Sequence, residues 1–172
     1  MELNLPAPAP TVYRFSDPRL WSKMVEDAGG QAFIGVYRLH RLDASDRPVP
    51  MPRLLGVDPE GILYLGTSSH VPNRVTFMRR SMGAAYKQLA PDTYSHHTHT
   101  ASGAHQTGKK LMRVGRRFPD LIPFDELGVT VIRYVAVKPV QEGEQDWGYF
   151  AQEEELLHAY EVVYGERPAL NG

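Results

Sequence analysis

Two short tripeptides near the front of the chain pair glycine with tyrosine: Gly35-Val36-Tyr37 and Tyr64-Leu65-Gly66. Arg74 follows the second tyrosine by ten positions. Far downstream stand three consecutive glutamates, Glu153, Glu154 and Glu155, and a Pro-x-x-Asn tail that ends in Asn171. A phenol with a pKa near ~10 takes up a proton at neutral pH only if a cation favours its phenolate. A guanidinium fork grips phosphate through paired donors, and a carboxylate holds hard cations. Each residue also has an ordinary use. Tyrosines half-bury in strands, an arginine decorates a helix surface, and an acidic triplet is a solvated face or compensates a helix dipole.

Charge adds a second signal. The formal net charge is -1, yet Arg74, Arg79, Arg80, Lys87, Lys109, Lys110, Arg113, Arg116 and Arg117 crowd one stretch that holds only Asp92 in opposition. Such a segment reads either as a phosphate-binding footprint or as a solvated helical surface. His96, His97 and His99 cluster in Ser-His-His-Thr-His-Thr, with His105 following. Clustered histidines can ligate a transition metal. Here they lack cysteine or acidic neighbours, so a polar loop near a substrate is the competing reading.

These groups need elements to position them. Residues 1–12 are proline-rich and read as extended or loose. Pro18 to Ala28 reads as a short helix that Gly29-Gly30 ends, and Gln31 to His40 as a first strand. Leu42 to Gly61 carries Asp, Pro and Gly punctuation and reads as a long connection. Ile62 to Gly66 is a second strand, and Val71 to Met82 a helix. Ala90 to Gly108 reads as a loop, Lys109 to Phe118 as a basic helix, Val129 to Val137 as a third strand and Tyr149 to Tyr164 as a closing helix. The pattern predicts an α+β fold: a small antiparallel three-stranded sheet flanked by helices. Residues 1–31 form an N-terminal extension and 32–172 one domain.

With its element order, this set of residues resembles the GIY-YIG nuclease superfamily, over about residues 32–172. The two tripeptides match with Val36 and Leu65 in place of isoleucine; Arg74, a late glutamate and Asn171 complete the pattern. The resemblance implies a metal-dependent endonuclease, with DNA the expected substrate and Mg²⁺ or Mn²⁺ the cofactor. It implies Tyr37 as general base or water-positioning group and Tyr64 as holder of the water or phosphate. Arg74 would grip the scissile phosphate, Glu153 would be the metal ligand, and Asn171 a brace. It also implies a phosphate or proton-transfer role for His105. Arg79, Arg80, Lys109, Lys110, Arg113 and Arg116 would line the approach, and Tyr37, Tyr64, Arg74 and Glu153 would converge on one surface. Register favours Glu153 over Glu154: apolar residues three and four positions on are Leu156 and Leu157, with Tyr160 at the next turn.

The chain departs from the family in three places. The step from Tyr37 to Tyr64 is longer than a tight hairpin. Met78 stands where some relatives carry a polar group, and Thr67 where repair nucleases carry lysine. Specificity would come from the Leu42–Gly61 connection, the histidine loop, the first 30 residues, or a homodimer or partner chain, or it would be low. With no cysteine, no secretory pattern and no apolar run of membrane length, the expectation is a soluble cytoplasmic protein with no membrane partner. Two rival readings stand: a catalytically weak nucleic-acid-binding or protein-interaction module, and a histidine-liganded metalloprotein.

Overall fold

The computed structural model describes residues 11–87, 110, 122–134 and 148–171. Their organisation is α+β, with antiparallel strands throughout. Strand β1 is Val12–Arg14, followed by helix α1, Leu20–Asp27. Strand β2 is Gly35–Arg41. A hairpin of β3, Met51–Arg53, and β4, Gly56–Asp58, precedes β5, Ile62–Ser68. Helix α2 is Val71–Lys87, strand β6 is Leu127–Arg133, and helix α3 is Gly148–Tyr164. Among the described residues no helix is long and apolar enough to cross a membrane.

The main sheet has four strands, ordered β1-β6-β2-β5, rather than the expected three. The fourth, β1, begins at Val12, the last residue of the stretch read as loose, and runs on to Arg14. Tyr13 and Phe15 alternate inward while Val12 and Arg14 stay half-buried, and β1 pairs with β6 at Val12↔Thr130 and Arg14↔Gly128. A three-residue strand beside a proline-rich leader leaves too short a period-two pattern to register. The segment also feeds the core: Phe15, Leu20 and Met24 join Tyr37, Leu39, Val75, Met78 and Val129 in one buried cluster.

The connection from Leu42 to Gly61 is also more ordered than expected, because it contains the β3–β4 hairpin. Pro52 sits exposed in β3, where a missing N–H costs no central ladder bond. The hairpin leans on the end of α3, where the Leu55 N–H donates to the Tyr164 carbonyl at 3.1 Å.

Strand β2 runs between β5 and β6 and is covered on both faces. Tyr37 and Leu39 point into the cluster beneath α1 and α2. Val36 points the other way, into a second cluster with Leu65 and Leu157 of α3. The sheet therefore lies between α2 on one face and α3 on the other. Two residues separate β5 from helix α2, and Val71, Val75, Met78 and Met82 form its buried stripe at helical spacing. That rotation leaves Arg74 exposed on one flank.

Candidate active site

The two tripeptides face each other across the sheet. Strands β2 and β5 pair antiparallel, with Tyr37 opposite Gly66 and Leu39 opposite Tyr64. Tyr37, Gly66 and Tyr64 thus share a face, because Tyr64 lies two residues from Gly66 along its strand. The ring centroids of Tyr37 and Tyr64 are 6.1 Å apart, tilted by 38°. A Cβ at Gly66 would meet Tyr64 Cε1 at 2.5 Å and the Tyr37 hydroxyl at 2.8 Å. The glycine is therefore required so that both phenols can lie over the strand. Gly35 meets a different limit, since a Cβ there would fall 2.2 Å from the Ile132 carbonyl of β6.

The four residues expected to converge do so. Arg74 lies beside the Tyr37 phenol and favours its ionised form. Tyr37 and Tyr64 are electrostatic neighbours as well as ring neighbours. Glu153 interacts electrostatically with Tyr64, Tyr37 and Arg74. Its route is indirect, because the body of α3 packs on the opposite face of the sheet. The carboxylate comes round the outer edge of β5, where the nearby Thr67 N–H favours its charged form.

Burial decides the protonation of this group. Tyr37 is fully buried. Burial first, then the neighbouring Tyr64, pushes its phenol far above the ordinary range, and Arg74 pulls only partly the other way. Burial likewise raises Tyr64, with Glu153 adding to it. Burial pushes the Glu153 carboxyl up to about 7, assisted by Glu154 and opposed by Arg74 and the Thr67 N–H. Glu153 is half-buried and Glu154 exposed, while Leu157 and Tyr160 are buried on the same helix. The side chain turned toward the tyrosines is that of Glu153.

Asn171 does not touch this cluster. Its Oδ1 accepts the Leu65 N–H at 2.8 Å and its Nδ2 donates to the Leu65 carbonyl at 2.7 Å. The preceding Leu170 N–H donates to the Leu63 carbonyl at 2.8 Å. The tail therefore lies along the outer edge of β5, beside Tyr64 and Gly66, and acts as a brace.

The basic residues divide. Lys110 donates through Nζ to the Leu170 carbonyl at 2.8 Å, so its ammonium holds the tail instead of facing outward. Arg79 donates through Nε to the Phe15 carbonyl. Five residues of helix separate it from Arg74, a rotation of about 140°. Arg79 and Arg80 both line a groove between α1 and α2 instead of the flank that carries Arg74. His96, His97, His99, His105, Lys109, Arg113 and Arg116 lie outside the described residues.

Two contributors had no distinct sequence signal. Thr67 contributes a main-chain N–H, which every residue but proline carries. Its hydroxyl is spent on the Gly35 carbonyl at 2.9 Å, so it is not turned outward to phosphate. The second is a buried clamp on α3. Tyr160 donates to Asp58 at 2.7 Å, and Asp58 also accepts the N–H groups of Glu60 and Ile62. Asp58 and the Arg53 side chain are both buried, with 3.6 Å between guanidinium and carboxylate. Tyr160 lies two helical turns below Glu153, so the clamp sets the rotation that aims the glutamate.

Among the described residues no group of three or more His, Cys, Asp or Glu gathers as a ready metal site. Any cation at the tyrosine cluster would take one described carboxylate, that of Glu153, and complete its shell with water and substrate oxygens. No protein-family model, curated protein or solved structure matches the chain.

Proposed function

We propose that the chain is a divalent-metal-dependent endonuclease of the GIY-YIG type that hydrolyses phosphodiester bonds, in DNA by preference. The observation that carries this reading is the convergence of Arg74, Tyr37, Tyr64 and Glu153 at one sheet edge, from two strands and two helices on opposite faces. A binding surface has no need of a half-buried carboxylate brought round a strand edge to an arginine and two phenols.

The donor set suits a hard cation. Glu153 offers carboxylate oxygen, and its burial is the kind of cost that a bound cation offsets. Mg²⁺ or Mn²⁺ there would neutralise charge on the phosphate and acidify a water.

The remaining roles follow from exposure. Arg74 is the exposed cation and grips the scissile phosphate through its guanidinium fork. Tyr64 is half-buried and holds the attacking water. Tyr37 is fully buried behind them and keeps its proton, so it is a positioning residue and not the general base that the motif alone suggests. Asn171 fixes the strand on which Tyr64 and Gly66 sit.

The test is cleavage of single-stranded, duplex and branched DNA with Mg²⁺ and Mn²⁺, on the parent and on Glu153→Gln and Glu154→Gln. Glu153→Gln should lose on the order of a hundredfold or more in rate with folding and binding retained, and Glu154→Gln should stay near parent. Equal activity of parent and Glu153→Gln would refute the metal-ligand role.

A further inference from the structure

The groove between α1 and α2 contains a set of groups that the cleavage chemistry does not use. Trp21 stands on α1 with 46% of its surface exposed, while Leu20 and Met24 of the same helix are buried. Its indole Nε1–H donates to Asn73 Oδ1 at 2.8 Å. That bond crosses between the helices and fixes the plane of the ring. It also leaves the Asn73 NH₂ as a donor at the groove. Arg79 is held in place by its bond to the Phe15 carbonyl. Arg80 is exposed, and Phe77 supplies apolar wall. The Thr76 hydroxyl is buried without a hydrogen-bond partner. No carboxylate lines the groove among the described residues, and its volume of about 670 Å³ is ample for a nucleotide.

An exposed indole of fixed plane, two guanidinium groups and amide donors suit a stacked nucleobase with its phosphate. We propose that this groove is a base-stacking subsite for an unpaired stretch of the nucleic-acid strand, with Trp21 as the platform and Arg80 on the phosphate. Bases within a duplex are stacked on one another and offer no free face, so the occupant is single-stranded. The inference rests on the nuclease reading and extends it to substrate class. Asn73 precedes Arg74, and the outward surface of α2 runs from Arg74 past Phe77 to Arg80. A strand whose scissile phosphate sits at Arg74 would cross one helix width, about 10 Å, to reach the groove.

The test uses the fluorescence of Trp21 in a Trp147→Phe background, since the chain has two tryptophans. Glu153→Gln is added to prevent cleavage, and short oligodeoxythymidine is titrated with Mg²⁺ present. Quenching by the oligomer is expected, with none from thymidine monophosphate at the same nucleotide concentration. In the cleaving protein, Trp21→Ala should raise KM on single-stranded substrate about tenfold with kcat unchanged, and Trp21→Phe should stay near parent. Arg80→Ala should lower the slope of log affinity against log salt by about 0.7, one phosphate's worth on a single strand. That variant keeps the proposal testable if Trp21→Ala fails to fold. Unquenched Trp21 with cleavage intact would overturn the subsite and leave the nuclease reading standing. Equal quenching by the monophosphate would reassign the groove to free nucleotides. A parent protein that neither binds nor cuts any strand would remove the nuclease reading itself.

Discussion

Gly66 holds the two phenols at their spacing by having no side chain. Substitution by alanine would drive a methyl into both rings at contacts below 3.0 Å. Overpacking of this kind costs about 1–3 kcal/mol. Gly66→Ala should therefore lower the denaturant midpoint and cleavage together, whereas Tyr64→Phe should leave stability near parent and reduce cleavage. A stable, fully active Gly66→Ala protein would contradict the close stacking. His40 makes a different residue-scale prediction. Its Nδ1–H donates to the Glu60 carbonyl at 2.8 Å, so its Nε2 accepts from the Thr130 hydroxyl at 2.8 Å and the ring is neutral. Burial lowers its pKa below the ordinary 6.5. The unfolded chain thus takes up a proton that the folded one refuses. The stabilisation is complete above about pH 6.5 and is lost as pH falls below it. The raised Glu153 carboxyl works the other way, favouring the fold as pH falls through the same range, so the His40 contribution is read as a difference: the gap in denaturant midpoint between parent and His40→Gln should narrow between about pH 7.5 and about pH 5.5.

At the scale of elements, the clamp on α3 controls where Glu153 points. Tyr160→Phe removes the hydroxyl that donates to buried Asp58 and should cost about 1–3 kcal/mol. The expected outcome is a lower melting temperature, with a fall in cleavage that outlasts correction for the unfolded fraction. Unchanged cleavage per folded molecule would mean that the clamp does not aim the helix. Sequence reading reached most of these elements. Helices α1, α2 and α3 and strands β2, β5 and β6 each carry a buried stripe long enough to display its period. It missed β1 and the β3–β4 hairpin, which are three residues per strand and interrupted or preceded by proline. Local pattern cannot signal a strand whose stability comes from its partners.

At the scale of the whole molecule, the site was legible as a set of residues but not as an arrangement. Tyr37, Tyr64, Arg74 and Glu153 could be named from type and spacing. Full burial of Tyr37, the detour of Glu153 round the sheet edge and the turn of Arg79 toward α1 depend on which faces the helices cover. No stretch of chain states that by itself. The commitment of Lys110 to the tail is of the same kind, since charge in a sequence does not reveal whether it is already spent inside the fold.

The outer edge of β5 has one more consequence. Two parts of the chain lie along it: the tail, where Leu170 meets the Leu63 carbonyl and the Asn171 amide meets both groups of Leu65, and α3, whose Glu153 stands beside the Thr67 N–H. An open strand edge is a template on which a second copy can add its own strand. On this argument the groups that brace the cluster would also guard the protein against self-association. Asn171→Ala bares both Leu65 groups and should form soluble oligomers at high concentration, visible as a concentration-dependent shift in light scattering. Glu153→Gln keeps a carbonyl oxygen for Thr67 and should stay as monodisperse as the parent. A solution of Asn171→Ala that scatters like the parent at every concentration would mean that the edge is guarded by something else.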